Sequence, residues 1–358
     1  MKKLITILAA AILLCSCGKP RISASLETAR PSNAFMNLNR NGELYVDSYN
    51  RLNFFDFDSM TAALICSHPN CKHDDPESCT SFGMRNHPTM FGDKLCFFGI
   101  ETDWKNGSVV TSIKAYSAAI DGSGRAKIAE LESLSIDFYD NMLIKGTAMY
   151  FPAREKQLTE DGMMPTGFET AYLCCFDFEK RTFENLGKLA EGYSLSVNLS
   201  GEYCGGIYIE CNKTDGKIDF TVENWAQQLQ SAIKSSMLRY DLDEKTLEAS
   251  ELPIPNFVGG GFYGYMEGSN AVVIDSEGSK AVYEDYELPK ALTGIPINGK
   301  LFDSLTKTAI NLETKELLEI TLKSQDIVVT FYDGSYIVRT AAGEYKKLSE
   351  EELFPGSP

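Results

Sequence analysis

One phrase recurs along this chain and limits what it can fold into: Phe55-Asp56-Phe57-Asp58-Ser59-Met60-Thr61, Phe176-Asp177-Phe178-Glu179-Lys180-Arg181-Thr182, Tyr240-Asp241-Leu242-Asp243-Glu244-Lys245-Thr246 and Ile310-Asn311-Leu312-Glu313-Thr314-Lys315-Glu316. Apolar residues alternate with Asp, Glu or Asn at period two, as in a half-buried strand, and the polar cluster that follows is turn chemistry. A looser copy, Tyr116-Ser117-Ala118-Ala119-Ile120-Asp121-Gly122, falls between the first two, so the starts at 55, 116, 176 and 240 are nearly evenly spaced. Self-similarity at a fixed period means a repeat architecture.

A second strand with an aromatic signature precedes each phrase: GELYVDSY (42–49), DKLCFFGI (93–100), GTAMYFPA (146–153), GGIYIECN (205–212), NAVVIDSE (270–277), GKLFDSLT (299–306) and GSYIVRTA (334–341). Shorter edge-like strands flank these pairs. Four short antiparallel strands per unit with few helices predict an all-β chain and a β-propeller, in which radial repetition leaves only short, protected edges. A β-sandwich would close in roughly 100 residues and would leave so many like units unexplained. The count is seven four-stranded blades, with six or eight as alternatives because the last two units are compressed. The final unit looks one strand short, and ISASLET (22–28) is expected to supply the missing strand and remove two open edges. Residues 22–350 are read as one propeller domain and 351–358 as a C-terminal tail.

Two insertions interrupt the pattern. From 223 to 235 the residues Trp225, Ala226, Leu229, Ala232 and Ile233 fall on one helical face, predicting a helix within a blade hairpin that packs on the propeller's side, with partner binding as the alternative. The stretch 153–170 is polar, carries Gly and Pro, and reads as a mobile loop.

Residues 66–79, CSHPNCKHDDPESC, concentrate the unusual chemistry. All three histidines of the chain, His68, His73 and His87, lie within 22 residues of one another together with Cys66, Cys71 and Cys79. Thiolate and imidazole are the donors that zinc selects, and a tetrahedral site needs four. Cys66, Cys71, His73 and Cys79 form a Cys₃His set for one structural zinc, with His68 in reserve. Pro69-Asn70 provides a turn, Cys71 and His73 share a side if the chain is extended, and Asp74 to Glu77 let it return to Cys79. Outside the cytoplasm a disulfide such as Cys71–Cys79 competes with the metal, and free thiols are the third reading. A fully liganded zinc keeps no open position, so the role is structural. Cys96, Cys174, Cys175, Cys204 and Cys211 sit on predicted strands and read as buried small hydrophobes.

The N-terminus, MKKLITILAAAILLCSCGKP, carries two lysines and then an apolar run of about eleven residues, short of the roughly 20 that span a bilayer. It reads as an export signal over residues 1–16. Leu14-Cys15-Ser16-Cys17 resembles the bacterial lipobox, which implies a lipid on Cys17, a tether over 17–21 and a chain held outside the cytoplasm on a bacterial membrane. The formal net charge is −16, and loss of Lys2 and Lys3 makes it more negative. Nucleic acid is thereby excluded as a partner, since its recognition rests on cationic patches.

The FDFDS hairpin and the AAIDGSGRAKIAEL stretch (118–131) resemble the strand-turn-strand units of TolB-like and related bacterial surface β-propellers over most of 35–350. The C-x4-C-x-H-x5-C spacing is similar to that of some surface propeller lipoproteins. This resemblance implies a fold and little about activity, because propellers host enzymes and binders alike. No P-loop, Gly-x-Ser-x-Gly elbow or His-Glu-x-x-His occurs. Ser231-x-x-Lys234 and Ser304-x-x-Lys307 match a Ser-x-x-Lys core without a Lys-Thr-Gly partner. Asp56, Asp177 and Asp241 recur at equivalent positions and are read as hairpin supports. The expectation is therefore a monomeric binder of a surface protein, peptide or glycan without turnover. The alternative is a glycan- or peptide-processing hydrolase with carboxylates at the propeller's central mouth.

Overall fold

Period-two alternation becomes antiparallel pairing throughout the molecule. The computed structural model describes residues 30–355 except 33–35, 40, 76–77, 85, 106–107, 137–140, 161–163, 220, 287, 289–295, 304–305 and 324. The export signal, Cys17, the tether and the 22–28 stretch lie outside the described residues. The first unit is a four-stranded meander of Met36–Asn39, Gly42–Val46, Leu52–Asp56 and Thr61–Leu64. The second repeats the plan with Thr89–Phe91, Lys94–Lys105, Ser108–Ala119 and Ala126–Glu132.

Two units then merge into one eight-stranded sheet ordered Arg30–Ser32, Met142–Lys145, Ala148–Leu158, Pro165–Asp177, Thr182–Tyr203, Gly206–Thr214, Lys234–Asp241 and Leu247–Ala249. The 22-residue strand Thr182–Tyr203 serves both. Its first half pairs with Pro165–Asp177 and its second with Gly206–Thr214. The ladder slips between Tyr193 and Ser196, and Ser194, left-handed at φ 48°, marks the bend. Apolar side chains of both halves, among them Leu143, Ala171 and Leu173 against Val197, Ile207 and Ile209, share one cluster.

The fifth unit is again four-stranded, Phe257–Gly259, Phe262–Glu267, Asn270–Asp275 and Lys280–Tyr283. The sixth (Lys300–Asp303, Thr308–Asn311, Leu317–Glu319) and the seventh (Ile327–Tyr332, Ser335–Arg339, Tyr345–Leu348) have three strands each among the described residues.

Burial falls across each four-stranded unit. Thr89–Phe91 and Phe257–Gly259 are wholly buried, whereas last strands such as Thr61–Leu64 are mostly exposed. Core clusters link successive units: Leu44 and Phe54 with Leu95 and Phe97, Phe98 with Phe151, Tyr208 with Tyr263, Phe257 with Leu301, and Phe302 with Tyr336. A further cluster joins Phe55 and Phe57 of the first unit to Ile337 of the seventh. There Tyr345 stacks on Phe55 at 3.9 Å, and the Tyr332 hydroxyl donates to Asp58 at 2.7 Å. Gly201 is required where the fourth unit meets the fifth, because a Cβ would collide with the Val258 carbonyl.

The hairpin into the last strand of every unit carries one recurring device. The side chains of Asp56, Asp121, Asp177, Asp241, Asp275 and Asn311 accept the backbone N–H two residues on at 2.9–3.1 Å. In the seventh unit Thr340 Oγ1 accepts from Glu344 N–H. The repeated aspartates are thus hairpin supports, as read from their equivalence.

Several local expectations change. Arg30–Ser32, where no strand was expected, pairs with Met142–Lys145 of the third unit. The 153–170 stretch is mainly paired strand, with register running from Ala148↔Asp177 to Leu158↔Pro165, because Arg154 pairs with Glu169 and the Tyr172 hydroxyl donates to Glu155 across the ladder. The inserted helix is α1, Trp225–Ala232. It buries none of its residues, and Trp225 and Ile233 remain 40% and 41% exposed. The expected packing on the propeller's side is only partial, with Leu229 and Ala232 half-buried, because the helix sits at the tip of a hairpin between Gly206–Thr214 and Lys234–Asp241. A second helix, α2 (Glu350–Leu353), starts with a Ser349–Glu352 capping box. It places Leu353 and Phe354, in the stretch read as a tail, in the core between the last two units.

Candidate metal centre

The connection from the first unit to the second gathers four donors. Ligand atoms of Cys66, Cys71, His73 and Cys79 all lie within 4.8 Å of one another. His73 Nδ1 is 3.3 Å from Cys79 Sγ, and Cys79 Sγ is 3.7 Å from Cys66 Sγ. A tetrahedral zinc with Zn–S near 2.3 Å and Zn–N near 2.0 Å sets its ligand atoms about 3.5–3.8 Å apart. A disulfide needs sulfurs about 2.05 Å apart. The three thiols are free, and the 3.7 Å between Cys79 Sγ and Cys66 Sγ matches the first geometry.

Convergence comes from the backbone rather than from an extended strand. Asn70 and His73 are both left-handed, at φ 63° and 58°, a conformation that costs a non-glycine residue roughly 1–2 kcal/mol. Cys71 N–H donates to the His68 carbonyl at 3.3 Å, and Cys79 N–H to the Asp75 carbonyl at 3.0 Å, folding the loop on itself. Cys71 and His73 therefore meet around a bend, not along one strand face. His68 stays exposed and takes part through its backbone, its carbonyl accepting from Cys71 N–H and its N–H donating to the Cys66 thiol. The reserve ligand of the sequence reading is not among the four, because the turn at Pro69-Asn70 carries it out to solvent. His87 is buried elsewhere.

The surrounding residues fix this loop to both sheets. Arg51, held by Asp47 at 2.7 Å, donates to the His73 carbonyl at 3.3 Å. Leu52 N–H donates to the Ser81 carbonyl, and Cys79 Sγ lies 2.9 Å from Ser81 Oγ. Arg125 of the second unit donates to the Phe82 carbonyl at 2.6 Å and lies over the Phe97 ring. These anchoring residues carry no metal-site signature in the sequence; only their position on the two hairpins reveals them.

Burial pushes the Cys66 thiol up, but hydrogen bonds from His68 N–H, Thr80 and Cys79 outweigh it and hold the thiol below its ordinary value. At Cys71 the His73 N–H favours the thiolate, yet desolvation together with Cys79 and Cys66 leaves the thiol raised. Crowded thiolates of this kind are relieved by a cation. The other buried thiols contrast: Cys96, Cys174, Cys175 and Cys211 are pushed up to about 12 by burial. They behave as small hydrophobes, as expected, whereas Cys204 is exposed in the turn between Tyr203 and Gly206.

The Ser-x-x-Lys matches hold no chemistry among the described residues. Ser231 bonds the Gln228 carbonyl and Lys234 pairs with Asp215, while Ser304 lies outside the described residues. No helix among those residues is long and apolar enough to cross a membrane.

Neither any family model nor any curated protein matches the chain. Among solved structures, the fold is similar to a streptogramin B lyase at 12% identity, over 91% of this chain and 95% of that one, with a TM-score of 0.38. It is similar to an oligogalacturonate lyase from Vibrio parahaemolyticus at 10% identity (92% and 78% covered, TM-score 0.36). It is also similar to Saccharomyces cerevisiae Sqt1 at 9% identity (93% and 100% covered, TM-score 0.36). TM-scores this low carry no argument about this chain.

Proposed function

We propose that this chain is an extracytoplasmic recognition protein, lipid-anchored through Cys17, whose β-propeller of seven blades is locked at the first interblade connection by a structural zinc. The observation that carries the metal reading is the convergence of four donor atoms within 4.8 Å on a loop bonded to both flanking sheets. Four protein ligands complete a tetrahedron, so the ion braces the loop and leaves no position for an activated water. Support for a closed ring comes from the cluster that joins Phe55 and Phe57 to Ile337, which links the last unit to the first. Support for seven blades comes from the bend at Ser194, where one eight-stranded sheet holds two units. Recognition of a surface protein, peptide or glycan without turnover is favoured over hydrolysis because the recurrent aspartates are each engaged in their own turns.

Elemental analysis of the purified chain tests the metal. About one zinc per chain is expected, with Cys66, Cys71 and Cys79 slow to react with thiol reagents until a chelator is added. The Cys71→Ser variant should lose the ion and melt at lower temperature. A metal-free chain with a mass two hydrogens short, or with three readily titrated thiols at the site, would replace the zinc by a disulfide or by free thiols.

A further inference from the structure

The first described strand fixes the end of the third unit at which the chain enters it. Arg30–Ser32 adds to the inner edge of the third unit with the antiparallel register Arg30↔Ile144, Pro31↔Leu143 and Ser32↔Met142. Followed backward from Ser32 to Arg30, the chain runs toward Lys145 and the turn into Ala148. Everything N-terminal to Arg30 is therefore delivered at that end of the third unit.

Neighbouring units share this polarity. Asn141 bonds Asn198 at 2.6 Å and Lys145 pairs with Glu202, so the first strands of the third and fourth units run side by side in one direction. At the next junction the Tyr203 hydroxyl donates to the Asp275 carbonyl at 2.6 Å, and Cys204 Sγ lies 3.7 Å from the Ser276 carbonyl. The turns at Lys145–Ala148, Tyr203–Gly206, Asp241–Leu247 and Asp275–Lys280 therefore occupy one end. The hairpin between Leu158 and Pro165, with Met164 64% exposed, and the hairpin that carries α1 occupy the other.

We infer that the bilayer faces the end bearing the Lys145, Cys204 and Asp241 turns, and that the 158–165 hairpin and α1 stand at the outward end. The inference rests on the lipid anchor at Cys17 proposed above. Twelve residues separate Cys17 from Arg30, a reach of about 40 Å at full extension and about 20 Å as a flexible coil. The ring accordingly hangs from a short leash attached at one end. That end carries Asp58, Asp177, Glu179, Asp241, Asp243, Glu244 and Glu277 together with Lys145, Lys180, Arg181, Lys245 and Lys280 on its hairpins.

Energy transfer from a single tryptophan to a headgroup-labelled dansyl lipid tests the orientation, because the chain has only two tryptophans, Trp104 and Trp225. The lipidated full-length chain is reconstituted in phosphatidylcholine vesicles. One variant, Trp104→Phe, keeps the donor on α1. The other combines Trp104→Phe, Trp225→Phe and Glu244→Trp, which moves the donor to the exposed turn at the opposite end. At least twofold greater transfer is expected from the second variant. Equal transfer, or greater transfer from α1, overturns the inference. A Cys17→Ser chain that still floats with the vesicles, or a wild-type chain that carries no lipid, defeats the anchor itself. Flotation and mass spectrometry separate that outcome from a wrong orientation.

Discussion

Glu43 is 5% exposed beneath the junction of the first and seventh units, where it meets Arg339 at 3.4 Å and accepts the Tyr345 hydroxyl. Burial pushes its carboxyl up, while Arg339 and Tyr345 only partly offset that cost. A carboxyl whose folded pKa exceeds its unfolded one takes up a proton on folding. Its contribution is therefore most favourable at acid pH and declines as pH rises from the ordinary carboxylate range through the raised value. The Glu43→Gln variant should show a flatter stability profile than wild type as pH rises above the ordinary carboxylate range, measured by urea unfolding at each pH. An unchanged slope would mean that Glu43 does not titrate across the junction. Residue-level chemistry elsewhere was partly legible. Cys66, Cys71, His73 and Cys79 stood out by composition, but the left-handed turns at Asn70 and His73 that bring them together, and the exclusion of His68, are backbone facts no spacing rule contains.

Elements were more legible than their surroundings. The aspartate that opens each last hairpin announced a turn, and the turn formed: Asp177 takes the N–H groups of Glu179 and Lys180, while Arg181, left-handed at φ 58°, returns its N–H to the Asp177 carbonyl. The Asp177→Ala variant should cost about 1 kcal/mol, within the 0.5–2 kcal/mol of a lost cap, whereas Asp177→Asn should cost less; thermal melts distinguish them. Periodicity also found α1 but misjudged its apolar face, since amphipathicity shows which side prefers burial and not whether a partner surface is within reach. Replacing Trp225–Ala232 alone by a short turn should accordingly leave the melting temperature within a degree or two, because the helix buries none of its residues. A large drop would reveal packing from α1 onto the sheets.

At the scale of the molecule, six of the junctions between consecutive units are bridged by the chain itself, and among the described residues the contact between the seventh and the first is made by side chains. Tyr345→Ala removes the ring stacked on Phe55 and the hydroxyl bonded to Glu43. The expected loss is about 2–3 kcal/mol, below the roughly 3–5 kcal/mol of a fully buried aromatic truncated to alanine because Tyr345 is half-buried. In a closed ring the loss lowers one cooperative transition, with near- and far-ultraviolet circular dichroism changing together. In an open array only the end units would melt early and the two signals would separate.

The sequence by itself determined the class and rhythm of this protein. Alternation at period two dictates strands, Asp and Gly dictate turns, and an even spacing of like phrases dictates units, because each of these is a local consequence of side-chain chemistry. Tertiary structure alone decided that two units share the strand Thr182–Tyr203, that Arg30–Ser32 joins the third unit, that α1 leaves Trp225 and Ile233 exposed and that Arg51 and Arg125 hold the Cys₃His loop from two sides. Those features depend on which surfaces meet across long stretches of chain, and residues far apart in sequence carry no local mark of the neighbour they will bury.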